Sequence, residues 1–353
     1  MSRQGNPFKY TAIAAETSNG QCQINMLKSA SLLLLTLVAL SIGSLLLALL
    51  VGSSAAGPET LLGWWSGSTA PEALEVMLRL RLPRALAAFG TGAALAVAGA
   101  LMQVLLRNPL ADPYVLGTSS GAAVTALGAM LLGASGLTVD AAAFAGALGS
   151  TLLVFSLARG TGAWNTNRLL LTGIVVAAGW SAVVSLMLAI SPDTKLRGII
   201  FWLMGDFAFV EQPGSILLVA AIGVAGGMLL ARTLDVLGTG DHQAALLGLE
   251  VKRTRSIVYA LSSLLTAVAV TTAGVVGFVG LIVPHFIRLA GGNNHRSVIP
   301  ASALAGGTLL VVADTLARTV LAPQQLPVGA ITAAVGVPAF LFLLRRDTTG
   351  RNG

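Results

Sequence analysis

Charge is scarce in this chain: Asp, Glu, Lys and Arg make up 10% of its 353 residues. Aromatic residues account for 5%, there are 3 histidines, and a single cysteine, Cys22, excludes an intrachain disulfide. No group of His, Cys, Asp or Glu has metal-ligand spacing, and no Gly-x-Ser-x-Gly stands where a nucleophile elbow needs it, which argues against an intrinsic enzyme. A phosphate-binding loop of the G-x-x-x-x-G-K-[ST] kind is missing too, because none of Lys9, Lys28, Lys195 and Lys252 follows a glycine. The chain therefore has no ATPase machinery of its own, and no bound cofactor is expected. Basic residues outnumber acidic ones 21 to 14, for a net charge of +7. They are scattered between apolar runs rather than massed in a tract, so nucleic acid is not an expected partner.

What is present is apolar. Hydrophobic residues reach 55%, glycines number 41 and the mean hydropathy is +0.83, the composition of an all-α polytopic membrane protein surrounded by lipid. The organising stretch is 79–121, RLRLPRALAAFGTGAALAVAGALMQVLLRNPLADPYVLGTSSG. It opens on Arg79, Arg81 and Arg84, runs uncharged from Ala85 to Leu106, and closes on Asn-Pro, Asp-Pro and Gly-rich turn signals. An uncharged run of that length spans about 30 Å of hydrocarbon. Its Gly90, Gly92 and Gly99 predict close approach of neighbouring helices.

Ten spans are expected, at 31–51, 85–106, 115–132, 141–157, 169–190, 216–230, 257–272, 275–287, 298–316 and 328–344. The long apolar stretch 257–290 is divided at Ala273-Gly274 because it exceeds one membrane thickness. This gives a polar cytoplasmic tail at 1–28, a ten-span transmembrane domain at 29–345 containing a cytoplasmic loop at 232–255, and a cytoplasmic tail at 346–353. The apolar run after Lys28 is longer than a signal-peptide core, so it reads as an uncleaved first span. With both termini inside, only Arg79, Arg81, Arg84, Lys195, Arg197 and Arg318 of the 21 basic residues fall outside. Basic loops resist translocation, so this asymmetry supports the topology and singles out the six exceptions.

An ion-coupled secondary transporter or a channel is the rival reading, and it calls for titratable groups near the midplane. Asp314 is the one acid well within a span, and its spacing predicts an i, i+4 pair with Arg318 rather than a proton relay. If the chain pumps anything, energy must arrive through a cytoplasmic partner. The loop 232–255 is the long inner candidate: Gly240 and Asp241 can start a short helix, with Ala244, Leu247 and Gly248 as a small, apolar docking face. On composition alone this segment reads equally well as an amphipathic helix resting on headgroups.

Several segments, in order, carry a family likeness. RLPR at 81–84 is followed by GAALAVAGALMQVLLRNPLADPYVLGTSSGA, then RLLLTGI at 168–174, FWLMGDF at 201–207, GFVGLIVPHFIRL at 277–289, ADTLAR at 313–318 and LPVGAITAAVGVPAFLFLL at 326–344. The series resembles the permease subunits of ABC importers for iron-siderophores, haem and cobalamin. That resemblance implies a type II ABC importer permease fold with ten transmembrane helices in the inner membrane. It implies two copies of the subunit, two cytoplasmic ABC ATPase subunits that use ATP and Mg, and a periplasmic substrate-binding protein. It implies that Arg81, Arg84 and Arg318 dock the binding protein, and that 240–248, with Gly240, Asp241, Ala244, Leu247 and Gly248, is a coupling helix for the ATPase. It also implies a cytoplasmic constriction at Asn108, Leu110, Thr166 and Asn167, with Met102 and Gln103 lining the pathway, and a short outside helix over the entrance at 196–204.

Overall fold

The computed structural model describes residues 31–52, 63, 71–159, 166–208, 210, 212–292 and 294–349. The tail at 1–28, with Cys22, lies outside them. In chain order the helices are α1 (Ser31–Leu50), α2 (Pro71–Val76), a π-helical turn (Met77–Arg81) and α3 (Leu82–Leu105). There follow α4 (Thr118–Leu131), α5 (Leu137–Arg159), α6 (Thr166–Ala189), α7 (Asp193–Met204) and α8 (Gly214–Leu229). The last six are α9 (Ala231–Gly238), α10 (Asp241–Leu246), α11 (Val251–Ala273), α12 (Val279–Leu289), α13 (His295–Thr319) and α14 (Val328–Thr349).

The organising stretch becomes the axis of the molecule. Every residue of α3 from Gly90 to Leu105 is buried, and α8, α11, α12 and α13 pack around it. Lipid tails are as apolar as leucine, so such helices gain little from burial as such and depend on close packing. Glycine supplies that contact. A Cβ on Gly92 would stand 2.1 Å from the carbonyl oxygen of Gly306 in α13, and one on Gly99 would stand 1.9 Å from that of Gly280 in α12. By contrast α6 fully buries only Leu169 and Gly173, although it packs on α4 and α5 and its Trp180 donates to Ser150 of α5.

Among the described residues, six helices are long and apolar enough to cross a membrane: α1, the run 74–105 that contains α3, α5, α6, α11 and α13. The α8–α9 pair, bent by 61°, makes a seventh if taken as one broken span, while α4, α12 and the start of α14 are apolar but shorter. Each expected span holds one of these helices. At 1.5 Å per residue, the 11 residues of α12 extend about 16 Å, less than the hydrocarbon core, and the non-helical residues 274–278 precede it.

Three expected boundaries move. The eighth span was expected from residue 275, but the chain stays non-helical to Phe278, because Gly274 turns it at φ +69° under Trp202 of α7. The loop 232–255 is helical over most of its length, as α9, α10 and the start of α11. Residues 346–349, expected in the tail, continue α14.

Candidate functional site

The Arg84 end of α3 holds a buried charge cluster. Arg84 grips Asp314 of α13 with Nε at 3.0 Å from Oδ1 and 3.1 Å from Oδ2, and Nη2 at 2.8 Å from Oδ1. Arg318, one turn along α13, brings its Nε within 3.2 Å of Asp314 Oδ2, so the i, i+4 pair read from the sequence is present. What the spacing did not reveal is that Arg84, 230 positions earlier, shares the same carboxylate. Asp206, just beyond α7, stands 3.6 Å from Arg84 Nη2, and Gln325 Oε1 accepts from Nη1 at 3.1 Å. Burial pushes the Asp206 carboxyl above its ordinary range, and Arg84 pulls it back.

Arg81, Arg84 and Arg318, expected on the outer side as docking residues for the binding protein, are mostly covered, with exposures of 5% for Arg81 and 8% each for Arg84 and Arg318. The reason lies in what their donors meet. The last carbonyls of a helix lack intrahelical partners, and those of α1 accept here, Leu49 O from Arg81 at 2.6 Å and Ala48 O from Arg318 at 3.2 Å. The accessible cation of the group is Arg79, whose side chain is 78% exposed beside Glu75.

At the other end of α3, Arg107 leaves the helix at φ +47°, and the Asn108 side chain accepts from Leu110 N at 2.9 Å, closing a tight turn. Asn108 and Leu110 are both exposed, and Thr166 and the exposed Asn167 open α6. Met102 is fully buried and faces the core. Gln103 is held from two sides, donating to Leu281 O at 3.0 Å and accepting from Arg288 Nη1. A cavity of about 280 Å³ borders Gln103, Arg107, Arg288 and His295.

The short helix α10 sits against this end. Gly240 caps it at φ +123°, a conformation glycine adopts without strain. Asp241 Oδ1 then binds two cations, Arg107 from the turn after α3 and, at 2.9 Å, Nη2 of Arg255 from α11, whose side chain is 1% exposed. The expected docking face needs one correction. Ala244 lies one turn beyond Asp241 on the side turned to the bundle and is fully buried, so it is not offered outward. Leu247, at 69% exposed, and the exposed Gly248 are, and they are joined by Leu246 at 75%, which the sequence reading missed.

The FecCD transport family model matches residues 36–346, nearly all of these helices. The chain belongs to the FecCD transport family. Among curated relatives of this FecCD chain, the hemin transport system permease protein HmuU of Yersinia pestis is 39% identical over 346 residues, covering 95% of this chain and 100% of that protein. The cobalamin import system permease protein BtuC of Halobacterium salinarum is 43% identical over 279 residues, covering 78% of this chain and 75% of that one. An inward-facing metal-chelate-type ABC transporter is similar in structure, with a TM-score of 0.79 at 31% identity, covering 89% of this chain and 98% of that one. The fold of the FecCD chain is thus that of a type II ABC importer permease, a transport component whose partner ATPase hydrolyses ATP. Permeases of this type work with ATPase and binding-protein partners in a membrane they span several times.

Proposed function

We propose that this chain is the membrane-spanning subunit of an ATP-driven importer that takes a large metal chelate, haem, a ferric siderophore or cobalamin, from a periplasmic binding protein to the cytoplasm by alternating access. Two copies form the pathway, each crossing the bacterial inner membrane ten times with both termini inside. Two ATPase subunits sit below and the binding protein above.

One observation carries this reading. The single helix α3, buried along its length, joins Arg84 in one charge cluster to Arg107 in the other. Its 24 residues extend about 36 Å, the depth of a membrane. At the outer end, Arg84 faces Asp206 and Asp314, Arg318 faces Asp314 and Arg81 donates to the Leu49 carbonyl; three arginines against two carboxylates leave one excess positive charge for acidic lobes of a binding protein. Separated charge pairs of that kind favour orientation and encounter rate more than affinity. At the inner end, Leu246 and Leu247 offer α10 to the ATPase, and Asp241 links α10 to Arg107, next to the Asn108 and Leu110 turn. A shift of α10 thereby pulls on the cytoplasmic constriction formed with Thr166 and Asn167. Gln103, rather than Met102, borders open space at this end of α3.

The test is uptake into vesicles holding the permease, its ATPase and its binding protein, with haem, a ferric siderophore and cobalamin offered in turn. One cargo accumulates and the others do not. Failure of all three chelates overturns the substrate class.

A further inference from the structure

The cavity between one set of helix ends, those of α3, α9, α12 and α13, has no part in the transport steps above. Gln103, Val104, Arg107, Pro109, Arg288 and His295 line it, and no acidic residue does. Three basic side chains thus border one space. Two have a carboxylate to one side: Asp241 on Arg107, and Asp235 on His295. Arg288 makes no ion pair among the described residues, and its Nη1 donates to the neutral Gln103 Oε1.

His295 is the informative member. Asp235 Oδ1 takes both its backbone N–H, at 3.0 Å, and its ring Nδ1, at 2.5 Å, which fixes the ring and leaves Nε2 as the second functional nitrogen. That Nε2 is buried and has no hydrogen-bond partner. A buried polar atom left unmade costs about 1–3 kcal/mol, so a site that retains one is suited to a ligand that completes it. With Asp235 holding a proton on Nδ1, Nε2 of the neutral imidazole is an acceptor, able to take a hydroxyl proton from a ligand, the P–OH of hydrogen phosphate or the glycerol hydroxyl of phosphatidylglycerol. The cavity, about 280 Å³, far exceeds the roughly 30 Å³ share of one water and has room for a tetrahedral anion with ester substituents. Val104 and Pro109 supply an apolar wall for such substituents. Basic pockets between the cytoplasmic ends of membrane helices are a recurring way to hold anionic headgroups.

We propose that this cavity binds a phosphate group through Arg288 and His295 with Arg107 beside them, delivered as the headgroup of an anionic phospholipid or as free inorganic phosphate. The choice of leaflet, cytoplasmic, rests on the orientation proposed above; the binding of phosphate does not, so the two can fail separately.

The full chain in nanodiscs tests this without any substitution. Diethyl pyrocarbonate modification of His295 is followed by peptide mass spectrometry, with the exposed His242 as internal reference. Discs of phosphatidylcholine are compared with discs containing phosphatidylglycerol, and with phosphatidylcholine discs in inorganic phosphate. Slowing of His295 by fivefold or more with His242 unchanged supports the site; slowing by phosphatidylglycerol alone assigns the lipid, and slowing by phosphate assigns the free ion. Equal His295 rates in all three overturn it. As a second measurement, lipid retained in native mass spectra is compared between Arg288→Met and Arg296→Met, the latter an exposed arginine off the cavity wall. Arg288→Met loses at least tenfold in phosphatidylglycerol affinity and Arg296→Met does not; equal affinities in the two variants overturn the proposal.

Discussion

Replacing Asp314 by Asn tests whether the arginines at the outer end of α3 are structural as well as functional. The substitution keeps an acceptor oxygen and removes the charge that Arg84 and Arg318 share, in a site where the Asp314 side chain is 2% exposed and the guanidiniums 10% and 9%. At an effective dielectric of 20, one pair at about 4 Å is worth roughly 4 kcal/mol, and Asp314 makes two. Asp206, at 3.6 Å from Arg84, compensates part of the loss, as do the α1 carbonyls that Arg81 and Arg318 reach. The expected destabilisation is the about 3–5 kcal/mol seen when one member of a buried ion pair is removed. Unfolding by sodium dodecyl sulfate, followed by far-ultraviolet circular dichroism, measures it. A companion variant, Arg84→Met with Asp314→Leu and Arg318→Met, removes the triad that shares Asp314 and returns to within about 1–2 kcal/mol of the parent chain, because Arg81 keeps the Leu49 carbonyl and Asp206, whose carboxyl burial already pushes up, takes a proton. That variant isolates docking, since it folds but no longer holds the binding protein. A loss below about 1 kcal/mol for Asp314→Asn refutes the buried-pair reasoning, and full binding-protein affinity in the folded triple variant refutes the docking role of Arg84 and Arg318.

Other substitutions probe the remaining joints. Asp241→Asn releases Arg107 and the buried Arg255 from α10; uptake falls roughly tenfold while ATP hydrolysis by the assembled complex persists, a coupling loss of about 1.4 kcal/mol measured as cargo moved per ATP. Leu246→Asp with Leu247→Asp alters only exposed apolar surface, so the permease keeps its thermal stability but fails to co-purify with its ATPase. Gly99→Ala drives a methyl group to within 1.9 Å of the Gly280 carbonyl oxygen, and the α3–α12 contact gives way at a cost of about 3 kcal/mol or more, read as loss of folded protein in detergent.

Much of the fold was legible because hydropathy and glycine act locally. The uncharged run after Arg84 could only be a span, and its glycines could only serve close contact, which is how Gly92 and Gly99 meet Gly306 and Gly280. The i, i+4 pair of Asp314 and Arg318 follows from helical spacing alone. The start of α12 was misplaced because Val275, Val276 and Phe278 are as apolar as the helix they precede; the helix is broken by positive φ at Gly274, where a Cβ would meet the Trp202 carbonyl oxygen, and again at Phe278. The exposure of Arg81, Arg84 and Arg318 was not legible, since their partners come from α1 and from positions hundreds of residues away. Asp241 was recognised as a helix start, whereas its second role, holding Arg107 and Arg255, depends on how three segments fold together. The inward turn of Ala244 has the same origin.

The measurement that bears most directly on the central claim is the energy source of transport. Vesicles containing the permease, its ATPase and its binding protein are loaded with ATP, with a non-hydrolysable analogue, or with ATP together with ionophores that collapse proton and sodium gradients. The account predicts chelate uptake with ATP, unaffected by the ionophores, and none with the analogue. Uptake that proceeds with the analogue and stops when the ion gradients collapse would contradict it and make the chain an ion-coupled carrier.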